Sequence, residues 1–423
     1  MSSILTNTSA MVALQTLRNI SQNLSKTQND ISTGKSISGA KDNSAVWAIS
    51  KVMESDVLGF KGISDSLALG ASTLAVATTA AEKVTDLLND MKQKIVAAQE
   101  ENVDRSKIQT DIAALREQIN GIVGAAQFNG LNMLSNRHAF ASTATIGQIV
   151  AQKGVSGQVN ILSSLDRSSS GSVKATYIGA ARGDLGTQTA TAGAVASLTA
   201  ATAVTGTGAV ADGASLSVKI VGEASTARGG HAVLGGDSYT VSAITGITNP
   251  IVYVARDGDT VTDIAKALAA KINFEAAKAD IKFTAVFEGT SEIKFTNNTG
   301  ASITPTFATA TGGTAGGALN LMADLDVSTS AGAKAALGAI EHLTQVAIAA
   351  AADFGTAQKR VQIQQSFVNS LTDSLKAGIG SLVDADMEEA SARLQALQVQ
   401  QQLGIQALSI ANQAPQNILA LFR

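Results

Sequence analysis

Three kinds of residue in this chain could carry chemistry: histidines, a glycine-rich turn and clustered carboxylates. His138, His231 and His342 stand far apart in unlike contexts. A zinc hydrolase needs paired histidines one helical turn apart, and a serine hydrolase needs a glycine-flanked elbow around its nucleophile. Neither spacing occurs, so each histidine reads as structural or solvated. Gly206-Thr-Gly208-Ala-Val-Ala211 matches a dinucleotide fingerprint with Ala in last place. The residues after it alternate like a strand, whereas a pyrophosphate needs the N terminus of a helix there, so the segment reads as loop. Asp257, Asp259 and Asp263 suggest calcium, yet an EF-hand loop needs an oxygen ligand where Val261 stands and a glycine where Thr262 stands. Helix capping accounts for them better. Glu100, Glu101, Glu388 and Glu389 lie in polar surroundings and read as solvated faces. The chain has no cysteine, which removes thiolate nucleophiles, disulfides and cysteine-based zinc sites. Neither catalysis nor a cofactor or metal is expected.

The elements that would hold such residues point elsewhere. Only 15% of the 423 residues are charged, and 31 Lys+Arg against 34 Asp+Glu leave a net charge of −3. A nucleic-acid scaffold is not expected from that balance. Near-neutrality with 45% hydrophobic residues suits self-association. The best membrane-span candidate, the charge-free run Leu185 to Ala211, is mostly Thr, Ala and Gly, so no span is expected. Met1 to Ala10 lacks a basic start and an apolar run, so a cleavable secretory signal is not expected either.

Proline occurs only at Pro250, Pro305 and Pro415, leaving both ends free for long helices, with Pro415 expected to end the last one. Spacings alternating between four and three keep residues on one helix face. Ala10, Leu14, Leu17, Ser21, Leu24, Gln28 and Ile31 form one such stripe, Val84, Leu88, Met91, Ile95 and Ala98 a second, and Ile108, Ile112, Leu115, Ile119 and Ile122 a third. The polar residues Gln99 to Arg105 read as the turn of a helical hairpin. A fourth stripe runs from Ile340 through Leu343, Ala347, Ala350, Phe354, Ala357, Val361, Gln364, Val368, Leu371 and Leu375 to Leu382. It resumes after a phase slip as Val383, Met387, Ala390, Leu394, Leu397, Gln401, Gly404, Leu408 and Ala411. Periodicity alone fits a self-contained bundle as well as packing between molecules. However, Ser21, Gln28, Gln401 and Gly404 interrupt the terminal stripes, and Ile4, Leu5, Met11, Ile20, Ile405 and Ile410 lie off them. A helix with more than one apolar face needs more than one neighbour.

The middle of the chain alternates with period two at Ser217–Val221, Tyr239–Ala243, Ile251–Val254, Ile281–Phe287 and Ile293–Thr296. Between the third and fourth runs, Thr260 and Asp263 make a capping box ahead of a helical run, giving a β-α-β-β order. The Ala/Thr/Gly runs 187–215 and 309–318 read as surface loop. The fold class expected is an α-helical coiled-coil or bundle core built from both chain ends, with a β-rich α+β domain inserted in the middle.

Residues Leu17 to Ser50, with Ile31-Ser-Thr-Gly-Lys-Ser-Ile-Ser-Gly-Ala-Lys-Asp-Asn-Ser-Ala-Val-Trp-Ala-Ile-Ser50, resemble the amino-terminal signature of bacterial flagellin. Gln127-Phe-Asn-Gly130 with Leu131 and Leu134 resembles the next landmark, and Met387–Ala396, Gln398–Ala414 and Asn417–Arg423 resemble the other end. Asp42-Asn43 and Ala45-Val46-Trp47 depart from the family's usual paired Asp and following Gly. Asp257–Thr296 resembles the small β-α-β-β insert of flagellins and hook-associated proteins.

The resemblance implies a subunit that self-polymerises into the extracellular flagellar filament, exported unfolded through the flagellar type III apparatus. It implies an inner-tube helix at 1–44, a shell hairpin with strands at 45–180, an outer β-rich domain at 181–327, a long shell helix at 328–378 and an inner-tube helix at 379–423. Subunit contacts are expected at Leu14, Leu17, Ile20, Leu24, Ile31, Leu394, Leu397, Ile405, Leu408 and Phe422. Implied partners are copies of itself, related flagellins, hook-associated junction and cap proteins and a secretion chaperone, with no nucleic acid and no membrane. Two rival readings are a hook–filament junction protein and a surface carbohydrate-binding adhesin. Flagellins detected by an animal Toll-like receptor carry Arg-x-Arg-Glu-Leu before the Gln-Phe-Asn-Gly landmark. By ungapped counting those positions fall on Leu87 to Met91, so both arginines are missing, while Asp111 keeps an acidic position. A degenerate epitope at Leu87, Asn89, Met91 and Asp111 is the expectation.

Overall fold

The computed structural model describes residues 7–135, 158–167, 173–193, 203–222 and 233–421. They form two compact units, one from residues 1–64 with 366–423 and one from 65–365.

The first unit is a coil of the chain ends. Helix α1 (Thr8–Thr33) opens at Asn7, whose side-chain oxygen accepts the Ala10 N–H, and closes at Gly34, where φ is +69°. A left-handed residue ends a helix most cheaply when it has no Cβ. A strap, residues 34–43, then leads into helix α2 (Ser44–Ala97). The strap is bound to the turn between helices α5 (Ser330–Val383) and α6 (Met387–Leu421): Ser36 N–H donates to the Val383 carbonyl at 2.8 Å, and Ala385 N–H to that of Gly34 at 3.0 Å. Within the strap the Asp42 carboxylate accepts the N–H groups of Gly39 and Ser38 and the Ser38 hydroxyl, which holds its pKa below the usual value.

Pro415 does not end the last helix; α6 continues to Leu421. A proline inside a helix orphans the carbonyl four residues earlier. Here that carbonyl belongs to Ala411, and it accepts the Asn7 side-chain Nδ2 at 2.8 Å. A partner from the opposite end of the chain repairs the defect.

In the second unit helix α3 (Arg105–Ala125) and the parts of α2 and α5 within residues 65–365 pack together, with Lys92 of α2 paired to Glu341 of α5 at 2.5 Å and Lys94 of α2 to Asp111 of α3 at 2.6 Å. The predicted second stripe, Val84, Leu88, Met91, Ile95 and Ala98, is wholly buried, as are Ile340, Leu343, Ala347, Phe354 and Val361. On α3 Ile112 and Ile119 are buried as expected, but Val123 takes the place assigned to Ile122. Among the described residues α5 is the one helix long and apolar enough to cross a membrane, not the run 185–211; its apolar stripe faces protein. Strands β1 (Gln127–Phe128) and β2 (Leu131–Asn132) flank Asn129 and Gly130, both at positive φ (+49° and +78°). A two-residue hairpin of that twist explains why Asn-Gly stands there. No sequence signal marks the longer hairpin β3 (Gln158–Arg167) and β4 (Val173–Ala181), which carries a bulge at Ser163.

The β-rich part holds two sheets, β5-β6-β10-β9 and β11-β7-β8, all antiparallel. The strands are β5 (Val204–Thr205), β6 (Ser215–Ile220), β7 (Ser238–Ser242), β8 (Ile251–Val254), β9 (Phe283–Glu288), β10 (Glu292–Asn297) and β11 (Thr306–Ala310), with helix α4 (Val261–Lys278) between β8 and β9. The capping box of Thr260 and Asp263 is present. One core joins sheets and helix, with Phe295 stacked on Phe283 at 5.6 Å and tilted against Phe307 at 6.0 Å.

The run 309–318 is not surface loop. It starts as β11, and most of its remainder is buried against residues 186–193, with Thr314 bridging Thr191 and Gly317 N–H donating to Gln188 O. A Cβ on Gly317 would lie 1.9 Å from the Gly186 carbonyl oxygen. Glycine is there because two backbones touch.

Candidate assembly interface

Helix α1 packs against α6 as far as Ala411, and among the described residues each buries only one side. On α6 the inward face is Ala390, Leu394, Leu397, Gln401, Gly404, Leu408 and Ala411, the residues predicted, except that Met387 is exposed. On α1 the inward face is Ala10, Ala13, Leu17, Ile20, Leu24, Thr27 and Ile31. That corrects the predicted stripe at three positions, because Leu14, Ser21 and Gln28 face out. Gly404 lets the helices close up, since a Cβ there would sit 3.3 Å from Leu17 Cδ1 and 3.8 Å from Ile20 Cδ1.

Of the predicted contact residues, Leu17, Ile20, Leu24, Ile31, Leu394, Leu397 and Leu408 therefore meet within the chain, while Leu14 and Ile405 point away from it. Phe422, Ile4 and Leu5 lie outside the described residues. The outward apolar surface also includes Val12, Val399 and Leu403, which the predicted stripes leave out. A signal for them exists: Val399, Leu403 and Ile410 are spaced four and seven apart, a second stripe behind the first. Met11 and Ile410 are 65% and 69% exposed. Large aliphatic side chains left this open on a continuous helical face mark an interaction surface.

The residues whose types could do chemistry are otherwise employed. Asp259 accepts from Tyr253 Oη at 2.5 Å and from Arg256 N–H and Nε, and Asp263 caps α4. Among the described residues no group of three or more His, Asp or Glu is placed to hold a metal. The Gly206 segment follows β5 as irregular chain, and Glu100, Glu101, Glu388 and Glu389 are exposed. His342 sits within the second unit, its pKa lowered by burial and then by the charges of Arg256 and Lys266. His138 and His231 lie outside the described residues. Of the four epitope positions, Asn89 and Asp111 are exposed and Leu87 half-buried, but Met91 is fully buried and offers no surface. Asp111 pairs with Lys94 at 2.6 Å.

Residues 4–139 match the bacterial flagellin N-terminal helical region, and residues 337–422 match the bacterial flagellin C-terminal helical region. Flagellin A of Rhizobium meliloti is 34% identical, Flagellin A of Rhizobium meliloti strain 1021 is 36% identical and the flagellin of Brucella melitensis biotype 1 is 30% identical, each alignment covering 100% of both chains. Among solved structures, the flagellar hook associated protein-3 from Legionella pneumophila covers 78% of this chain and 98% of its own at 14% identity and a TM-score of 0.34, a likeness too slight to argue from. The helical ends, the inserted sheets and likeness to flagellins from the first residue to the last lead to one conclusion: the chain belongs to the bacterial flagellin family, as a structural protein of the extracellular flagellar filament.

Proposed function

We propose that this subunit polymerises through its terminal coil, burying in neighbouring copies the outward apolar face that α1 and α6 leave open. The observation that carries the reading is the pair of faces on each helix, one satisfied within the chain and one exposed at Met11, Val12, Leu14, Val399, Leu403, Ile405 and Ile410. Residues 1–44 and 379–423 serve as the inner tube, 45–180 and 328–378 as the shell, and 181–327 as the outward part. The β unit centres on residues 203–310, and the flanking runs touch both it and the bundle: Gly193 N–H donates to Ser238 Oγ and Gly313 N–H to Gly236 O, while Leu185 N–H donates to Leu134 O and Gln109 accepts Val327 N–H. The subunit does no catalysis. It leaves the cell as an unfolded chain, a route helped by the absence of cysteine and by only three prolines. Related flagellins, junction and cap proteins and a chaperone are its partners.

Seeded growth followed by electron microscopy tests this. Filaments that lengthen as long as monomer is supplied support it; closed rings that stop growing would favour a junction protein and overturn it. Receptor detection is proposed to be weak, because Leu87 and Asn89 stand where guanidinium forks would bind. Leu87→Arg with Asn89→Arg should raise the response of reporter cells, and strong activation by the unaltered protein would refute this.

A further inference from the structure

Helix α4 lies against the open edges of both sheets in the β unit. On β9 the side chain of Asn273 does what a residue of a neighbouring strand would do: its Nδ2 donates to the Ala285 carbonyl at 2.7 Å, and its Oδ1 accepts the Ala285 N–H at 2.7 Å. Ala285 stands opposite Phe295 of β10 in the register, and because both its backbone groups bond Asn273 the two are a non-hydrogen-bonded pair whose backbone groups point away from each other. By the same alternation the N–H and C=O of Phe287 also face the open side. Thr262 on α4 donates its hydroxyl to the Thr290 carbonyl just past β9. On the other sheet the edge strand is β8, and Lys271 Nζ donates to the Val252 carbonyl at 2.9 Å. One helix thus supplies side-chain partners to two edges.

The edge it guards is hazardous. Strand β9 reads Phe-Thr-Ala-Val-Phe-Glu, with no Pro or Gly and a single charge, and Val286 is 52% exposed. Such a strand with unpaired backbone groups is a template for another strand. Asn273 is itself exposed, so the sealed position is reachable from solvent.

We propose that Asn273 is a one-residue surrogate strand closing a latent strand-addition site on β9, whose natural occupant is the β9 of a second copy. The device matters because each filament displays many copies of this edge at once, so that two filaments could join through many strand pairs; that consequence rests on the assembly reading above. Closing the edge with a side chain keeps filaments separate without lengthening the sheet.

Two measurements test it. In the unaltered protein, amide exchange resolved by NMR after Ala and Phe labelling should be at least about tenfold slower at Ala285 than at Phe287; equal rates overturn the proposal whatever any variant does. Asn273→Ala should then bind a synthetic peptide of the β9 sequence that the unaltered protein ignores, and its filaments should bundle side by side in electron micrographs. A folded variant, judged by its retained near-ultraviolet tyrosine signal, that neither binds the peptide nor bundles refutes it. Asn273→Asp keeps the acceptor for Ala285 N–H and loses the donor, so it should bind the peptide more weakly than the alanine variant and serves if that variant fails to fold. Failure of the unaltered protein to polymerise would sink the assembly reading, whereas a folded variant that forms filaments but neither binds the peptide nor bundles sinks only this one.

Discussion

The terminal coil and the β unit solve the burial problem in opposite ways. In the β unit Tyr239, Phe283 and Phe295 are fully buried, and two sheets and a helix share one core whose buried residues, among those described, run from Val204 to Ile303, with Phe307 packed against them. In the coil, the inward residues of α1 are almost all half-buried, Thr27 being the exception, and on α6 between 387 and 413 only Leu397 reaches the buried class. A region that completes its core alone gains nothing from neighbours. One that leaves a second apolar face open gains its stability when copies come together, because burial contributes on the order of 25 cal/mol per Å² wherever the covering surface comes from. On the reading proposed above, that difference leaves assembly to the ends.

The sharpest way to break that contrast is to place charge on the coil. Leu397→Asp with Leu408→Asp should abolish filaments, since burying an unpaired carboxylate costs on the order of several kcal/mol per subunit, repeated at every site. Removing residues 1–30 should do the same, while replacing 203–310 with a short linker should leave filaments visible by electron microscopy. Normal filaments from the aspartate variant would end the comparison. Extending the deletion to 185–320 should lower the bundle's thermal midpoint, because it strips the segment hydrogen-bonded to Leu134 and Asn120.

A second test works on the other side. Phe295→Ala should destabilise the β unit by about 3–5 kcal/mol in chemical denaturation and leave the growth rate of filaments unchanged. Coupled loss of both would show that the middle is not independent. At Gly404, replacement by Leu should push α1 off α6, costing about 1–3 kcal/mol. Proteolysis of the monomer should then trim both ends faster than in the unaltered chain; unchanged trimming would mean the close approach is not needed.

The smallest effect concerns pH. His342 has its pKa lowered in the folded state, first by burial and then by Arg256 and Lys266. Above the ordinary value of 6.5 it is neutral in both states, so its contribution is fully present. As pH falls below that value the unfolded chain takes the proton first, and stability declines until the folded value is passed. Urea midpoints measured at about pH 7.5 and about pH 5.5 should differ more for the unaltered protein than for His342→Gln; an equal loss would remove His342 as the cause.

Much of the fold is legible in the sequence because it is written in local periodicity. The stripes at 84–98 and 340–361 are buried as their spacing predicts, and the capping box of Thr260 with Asp263 and the five strands from β6 to β10 stand where their patterns place them, since each depends on neighbours within a turn or a pleat. Strands β3, β4 and β11 escape such reading because Ala, Gly, Ser and Thr weaken the alternation in β4 and β11, and the irregularity between Leu162 and Ser164 breaks it in β3, although Ile161, Ile178 and Ala180 are buried. The coil shows where sequence alone stops. Ala10, Leu17, Leu24 and Ile31 fit a face completed by Leu14, Ser21 and Gln28 as well as one completed by Ala13, Ile20 and Thr27, for three-then-four and four-then-three spacings share every seventh residue. Contact with α6 chose the second, by placing Leu17 and Ile20 over Gly404. Pro415 likewise reads as a helix end until Asn7, at the opposite end of the chain, supplies the bond that the proline cannot. Local sequence marked most of the helices and the strands β6 to β10; where the weakly patterned strands lie, which face each element shows, and which defects are repaired, was decided by partners that only the folded chain brings within reach.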